Sequence, residues 1–416
     1  MSDELPPLPA LRPEIEAVPI RYRGQPIFRL FDRSGLSPAE IGVSPAWMFV
    51  IAQLDGATSI LDIQDRFARA SGGEILPSDA IRQVLSELDR ACFLQGEHFE
   101  EFLAETKRQF AAADVRAAIC AGSAYSDDPD ELQKQLQKMI AKAPPPEEAI
   151  PARADRAPPA GVIAPHIDYA RGGLAYGQIY RELAAREAPA RVVIIGTSHV
   201  PLRHRFAVCT KDFAVPGGVM KHDVDAVRFI LDASAGVADW REDAFAHRGE
   251  HSVELQAVWL RHIWGEKVLI IPVLAGSLAS PIDQPAAVAE DRQLLAFIQA
   301  LRRLADEMHG RTLFIASADL AHIGRRFGDD RDIDNAFLSE TEEADRHYLA
   351  AVASGDAAAG LASLQRHNDR YHVCGSAAIY TLNSVLANVR GRLLGYHQAS
   401  TPEMQQAVTF AAMIFE

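Results

Sequence analysis

Nine side chains able to do acid–base, nucleophilic or metal chemistry stand where strand-like runs end or helix-like runs open: His166, Asp168, His199, Glu250, His251, Glu254, Asp319, His322 and Cys374. Imidazole combined with one anionic ligand suits iron, copper or zinc and leaves coordination positions open for a substrate. The strand-end histidines are therefore candidate ligands. Cys374, ahead of Gly375-Ser376-Ala377, opens a helical pattern, where the helix dipole favours the thiolate needed for ligation or attack. Asp319 and Glu254 are candidates to orient the imidazoles as hydrogen-bond acceptors. Each residue also has a plain structural reading: a strand-end histidine bonds locally, a cysteine among small residues packs as a small hydrophobe, and Glu250 and Glu254 suit a helix N-terminus. His222, His247, His309 and His367 have no supporting context and read as surface residues.

The elements that must position these groups alternate between strand and helix. Gly161–Ala164 and Val192–Ile195 are short apolar runs flanking a helical pattern, the signature of a strand–helix–parallel-strand unit. Ligands bind beyond the carboxyl ends of parallel strands, which puts His166 and His199 on one rim. Leu313–Ala316 is a third buried strand and delivers Asp319 and His322 to the same edge, while Lys267–Leu274 is a fourth. The block His247–Leu260 turns from polar to apolar-periodic at Ser252, so Ser252 is the predicted N-cap, with Glu250, His251 and Glu254 around it. Phe206–Phe213 reads as a strand or extended loop, Asp223–Asp232 and Gln293–Glu307 as helices, and Gly391–His397 and Val408–Phe415 as terminal strands.

The N-terminal third has another character. Residues 1–16 read as an arm and Gln25–Asp32 as an edge strand. Ser44-Pro45 opens the helix Ala46–Leu54, Thr58 or Ser59 caps a second, Ser78 caps a third, and Cys92–Gln95 returns as a strand. Residues 1–112 thus form a small winged-helix-like α+β domain that resembles peptide-chaperone domains of the PqqD type; a packing module without a partner is the alternative. After a helical connector over Glu100–Ala118, Asp128-Pro129 with Glu131 predicts a capping box and a helix burying Leu132, Leu136, Met139 and Ile140. A Pro/Ala-rich linker follows at about residues 143–159.

The chain has 416 residues, 48% hydrophobic and 24% charged, which predicts a globular protein of more than one domain. A net charge of -14 without a basic run argues against nucleic acid, and no apolar stretch approaches the roughly 20 residues of a membrane span. Four scattered cysteines without a CxxC, and an acidic, proline-rich start, predict a reduced, cytoplasmic setting. Phosphate-loop, GxSxG and HExxH motifs are missing.

Seven segments in order resemble the Memo family, which includes the B component of the AmmeMemoRadiSam system: AGSAYSDDPDEL (121–132), APHIDYARGGLAYGQIY (164–180), VVIIGTSHV (192–200), EHSVELQAVWL (250–260), IIPVLAG (270–276), IASADLAHIGRRFG (315–328) and YHVCGSAAIY (371–380). The resemblance implies a domain over 113–416 with the fold of class III extradiol dioxygenases, an α/β architecture with a central mixed, mainly parallel sheet flanked by helices. It places metal ligands on His166, His199 and Cys374 and further site residues on Asp319, His322, His251 and Glu254. Departures are Ile167-Asp168 for a small-residue turn and Val200 for a second histidine. The implied activity is that of a non-haem iron- or copper-dependent redox protein, with zinc less favoured, in which His322 moves a proton and Asp319 fixes its tautomer. The implied partner is a radical SAM enzyme, or a peptide or protein substrate held by the N-terminal domain. Two alternatives stand beside this: a non-enzymatic scaffold, and a metal-dependent hydrolase with Glu254 as base.

Overall fold

In the computed structural model, which describes residues 6–150, 156–278, 285–366 and 370–416, the chain divides into two units, Met1–Ala112 and Ala113–Glu416. The first unit is built on a hairpin. β1 (Ile15–Tyr22) and β2 (Gln25–Asp32) join through Arg23-Gly24, both at positive φ as a tight hairpin turn requires, and β3 (Glu40–Val43) adds on the other side. Gln25–Asp32 is therefore the middle strand rather than an edge, because β1 begins inside the stretch read as an arm. Arg12 of that stretch is buried, donating to Asp32 (2.9 Å) and to the Cys92 carbonyl (2.8 Å). Residues 1–5 lie outside the described residues.

Four helices complete this unit: α1 (Pro45–Ile51), α2 (Ile60–Ser71), α3 (Ser78–Arg90) and α4 (Glu97–Ala112). Ser59 and Asp62 form a full capping box on α2, and Gly72 ends it in the left-handed conformation. Ser78 does not cap α3; it is the first helical residue, behind Pro77, and its hydroxyl accepts from Gln64 (3.2 Å). Cys92–Gln95 is not a strand. Cys92 turns to positive φ, and Leu94 makes one isolated bridge to Leu11. Leu30, Ile51, Ile63, Ile81 and Phe93 form the core.

The second unit starts with β4 (Val115–Arg116) and α5 (Pro129–Lys142). Asp128 caps α5 through the N–H groups of Asp130 and Glu131, but Glu131 pairs with Lys134 (2.7 Å), so the box is half made. Leu132 and Leu136 are buried, whereas Met139 and Ile140 are only half-buried. The described part of the 143–159 stretch is no free linker: Glu147 and Glu148 donate to the Leu394 and Leu393 carbonyls (3.0 Å each). Residues 151–155 lie outside the described residues.

The chain continues through β5 (Gly161–Ala164), α6 (Tyr169–Ala184), β6 (Arg191–Thr197), β7 (Phe206–Val208), β8 (Asp212–Val215), β9 (Gly218–Met220), α7 (Val224–Ala233), α8 (Ser252–Trp264), β10 (Leu269–Ala275), α9 (Pro285–Glu290), α10 (Arg292–Glu307), β11 (Thr312–Ser317), β12 (His322–Ile323), α11 (Asn335–Ala353), α12 (Ala357–Gln365), α13 (Ser376–Leu386), β13 (Gly391–Thr401) and β14 (Gln406–Phe415). The main sheet has the order β12-β14-β5-β11-β6-β10-β7, with β13 on β14. Its centre, β5-β11-β6-β10, is parallel; β14 and β7 flank it antiparallel. Every residue of β5 and β6 is buried, so both sheet faces are covered, which explains why these strands read as unbroken apolar runs. This is the mixed α/β architecture expected from the sequence. Among the described residues no helix is long and apolar enough to cross a membrane.

Candidate metal centre

Three parallel strands deliver the site from their carboxyl ends. β5 ends two residues before His166, β6 two before His199, and β11 two before Asp319. Cys374 arrives from the opposite end of the sequence, two residues ahead of α13. The ligand atoms of His166, His199 and Cys374 all lie within 4.8 Å of one another. Cys374 Sγ is 3.4 Å from His166 Nε2, and the His166 and His199 rings are 5.1 Å apart, edge to face.

Each imidazole is oriented by its other nitrogen. His166 Nδ1 donates to the Ser317 carbonyl (2.9 Å), which leaves the Nε2 lone pair facing Cys374. His199 Nδ1 donates to Glu250 Oε2 (2.9 Å), and His251 Nδ1 faces Oε1 of the same carboxylate (3.2 Å). His251 stacks on His199 with centroids 4.8 Å apart and meets His166 edge-on at 5.5 Å. His199, Glu250 and His251 thus make a second close group sharing His199. Carboxylate- or carbonyl-bound imidazoles of this kind are the usual support of a metal ligand.

Desolvation dominates the electrostatics. Burial, aided by the neighbouring His199, brings His166 down to about 4, and burial does the same to His322, so both are neutral imidazoles at neutral pH. Burial pushes the Glu250 carboxyl up, but His199 and His251 outweigh it and hold the group well below the usual carboxylate range. Burial raises Asp319.

The remaining expected residues are placed as follows. Asp319 Oδ1 accepts the backbone N–H groups of His166 (2.9 Å) and Ile167 (3.3 Å), so it fixes the turn that carries His166. It does not set the His322 tautomer; His322 Nδ1 donates to the Leu320 carbonyl (3.1 Å), and its ring packs edge-on to Phe327. Asp168 caps α6 and pairs with Arg171 (2.6 Å) rather than facing the cluster. Ser252 does not cap α8: His251 holds that position and Glu250 Oε1 accepts the Ser252 N–H (2.9 Å).

Glu254 is neither an orienting group nor an accessible base. Fully buried, its carboxylate is filled by Arg116, Tyr125 and the N–H groups of Ile119 (3.0 Å) and Cys120 (2.8 Å). Arg116 also donates to the carbonyls of His247 (2.8 Å) and Glu250 (2.5 Å), so it pins the loop that presents Glu250 and His251. No local spacing marks Arg116 or Tyr125 as part of the site. His247 is not the surface residue its sequence context suggests: that side chain is 1% exposed and bonded to the Ala207 carbonyl (3.1 Å). His367 lies outside the described residues.

Gly375 lets Cys374 approach. A Cβ there would overlap that of Ala318 and stand 2.5 Å from the Asp319 carbonyl oxygen. Gly375→Ala is therefore expected to displace the start of α13, lowering stability by about 1–3 kcal/mol as overpacking does and weakening metal uptake. Denaturant unfolding and a chelator-competition titration check the two effects separately; unchanged values in both would remove the close-approach argument.

Compared with known proteins, residues 116–414 match a family model described as Memo-like protein. A MEMO1 family protein of Aquifex aeolicus is 27% identical over 394 residues, covering 93% of this chain and 96% of its own. One from Methanopyrus kandleri is 26% identical over 307 residues, 72% of this chain and 98% of its own. A third, from Thermotoga sp. strain RQ2, is 32% identical over 210 residues, 50% and 70% of the two chains. Since the second unit begins at Ala113 of 416 residues, a match over 93% of the chain must run into the first unit.

Proposed function

The chain belongs to the Memo family, and from that premise and the geometry of its cluster we propose that it is a metal-binding, redox-capable protein that holds iron or copper on His166, His199 and Cys374. The observation that carries this reading is the convergence of a ring nitrogen from each of two imidazoles and one Sγ within 4.8 Å, with Nδ1 of both imidazoles anchored to protein acceptors. A His₂Cys set with open positions suits iron or copper and supplies, when loaded, one-electron chemistry and a place for oxygen or a chelating substrate. Zinc would bring no redox chemistry.

The chain's own residues then have separable tasks. Glu250 holds His199 in the tautomer that aims Nε2 inward and stands 3.2 Å from His251 Nδ1, and Asp319 fixes the backbone at His166. His322, neutral with Nδ1 committed, has Nε2 to accept and return a proton. A hydrolytic reading with Glu254 as base gains no support, because that carboxylate is already filled by four donors. We assign the first unit to holding a peptide or protein substrate, with a radical SAM enzyme as the partner; a non-enzymatic scaffold is the competing reading.

Metal content by mass spectrometry on anaerobically purified protein tests the proposal. Wild type is expected to carry near-stoichiometric iron or copper, and His166→Ala, His199→Ala and Cys374→Ser to lose it. Metal retained in Cys374→Ser alone would make the cysteine a thiol beside a two-histidine site. No uptake by wild type under any loading condition would overturn the reading in favour of the scaffold.

A further inference from the structure

Beside the cluster of His166, His199 and Cys374, α6 and α8 bury a run of closely spaced rings. Tyr169, Tyr176 and Tyr180 line one side of α6, and Trp259 of α8 lies among them, at 6.0, 6.1 and 4.7 Å respectively. Tyr169 and Tyr176 are 4.9 Å apart, and Tyr125 follows Tyr169 at 5.6 Å. One end reaches the cluster: the Tyr176 hydroxyl donates to the carbonyl of Ile167, the residue after His166 (3.0 Å). The other approaches the surface, where half-buried His262 meets Trp259 edge-on at 6.0 Å.

The hydrogen bonds of these rings differ in a way that matters for oxidation. Tyr169 donates to the Leu255 carbonyl (2.6 Å), Tyr176 to that of Ile167, and Tyr180 to the amide oxygen of Gln256 (2.6 Å). A neutral amide cannot take the proton that a phenol must lose when an electron leaves it. Tyr125 alone among the four donates to a carboxylate, that of Glu254. The buried Trp259 Nε1–H has no partner among the described residues, so an oxidised indole there keeps its proton and passes the charge on.

We propose that Trp259 is the one oxidised station of a one-electron relay out of the metal cluster, with the Tyr176 and Tyr169 rings as the medium the electron crosses and Tyr125 as the site where the oxidising equivalent comes to rest. It rests on the redox reading above only for the source of the oxidant, an oxygen-derived one-electron oxidant. That oxidant takes one electron from Trp259 across the Tyr176 ring, leaving the indole oxidised with its proton in place, and Trp259 in turn takes one electron from Tyr125 across the Tyr169 ring. An oxidised phenol is a strong acid, so its proton passes to Glu254 even though Arg116 holds that carboxylate, leaving a neutral tyrosyl radical. A small thiol or ascorbate returns the electron, and Glu254 returns the proton. The arrangement drains stray oxidation away from Cys374 and the ligand histidines.

The test uses full-length protein without metal, so its result is independent of the redox reading. A ruthenium–polypyridyl photo-oxidant is coordinated to the His262 imidazole, the singly labelled isomer is purified, and flash-quench oxidation is followed by electron paramagnetic resonance. Wild type is expected to give a tyrosyl radical. Tyr125→Phe should lower that signal at least fivefold and leave a tryptophan radical, while Trp259→Phe should slow formation at least tenfold without changing the final spectrum. An unchanged tyrosyl signal in Tyr125→Phe, in protein whose circular dichroism matches wild type, overturns the terminus; an unchanged rate in Trp259→Phe overturns the relay. Radical transfer in protein that fails to take up metal would leave the relay standing and sink only the metal-centre reading.

Discussion

Arg116→Met is expected to cost the second unit about 3–5 kcal/mol, the loss typical of breaking a buried ion pair from one side. Arg116 and Glu254 are both essentially inaccessible, and removal of the guanidinium leaves a buried carboxylate held by Tyr125 and two backbone N–H groups alone. The same change frees the carbonyls of His247 and Glu250, so the loop presenting Glu250 and His251 loses its anchor. Denaturant unfolding followed by tryptophan fluorescence reports on this unit, because Trp240, Trp259 and Trp264 lie in it and only Trp47 lies in the other. Arg116→Met/Glu254→Gln should recover part of the loss, since the amide removes the uncompensated buried charge while its oxygen still accepts from Cys120 and Tyr125. A single variant that unfolds within 1 kcal/mol of wild type, or a double variant no better than the single, would mean that the pair does not hold this loop.

That pair also marks the limit of what local sequence could reveal. The strands that carry His166, His199 and Asp319 were legible because a strand buried on both faces needs unbroken apolar residues, and the rim beyond such strands is a defined place. Cys374 could be joined to them only through the resemblance, since 208 positions separate it from His166. The identity of the orienting carboxylate was not legible. Glu250 and Glu254 are one helical turn apart, and spacing alone favours neither; the choice is made by Arg116 and Tyr125, 138 and 129 positions away from Glu254. In the first unit β1 was missed because Pro19 and the charged Glu16 and Arg21 obscure its alternation. Cys92–Gln95 was overread as a strand because its apolar residues are buried by a tight turn, with Cys92 at positive φ, that no composition signal announces.

Glu250→Gln is expected to weaken metal binding 10- to 100-fold, the usual cost of losing a group that orients ligands, while the protein stays folded. Both oxygens of Glu250 already receive N–H groups. Oε2 takes the backbone and Nδ1 of His199 (3.0 and 2.9 Å), and Oε1 takes the backbone of Ser252 (2.9 Å), with Nδ1 of His251 3.2 Å away. A glutamine has the same shape, but whichever way its amide turns, the NH₂ faces a backbone N–H and a nearby imidazole Nδ1. One imidazole must then rotate or move its proton from Nδ1 to Nε2. If that imidazole is His199, the inward lone pair needed for ligation is lost; if it is His251, the ring stacked on His199 is disturbed. The amide therefore settles toward His251, and His199 keeps a weakened anchor, which is why the expected loss is one to two decades rather than complete. Competition against a chelator of known affinity, on anaerobic protein loaded with iron(II), measures the change, and circular dichroism confirms the fold. His251→Ala should cost less than Glu250→Gln, because it removes a neighbour of the ligand and leaves the Glu250–His199 bond in place. Affinity within threefold of wild type in Glu250→Gln would show that the carboxylate does not set the ligand tautomers. The reverse order for the two variants would make His251 itself a ligand.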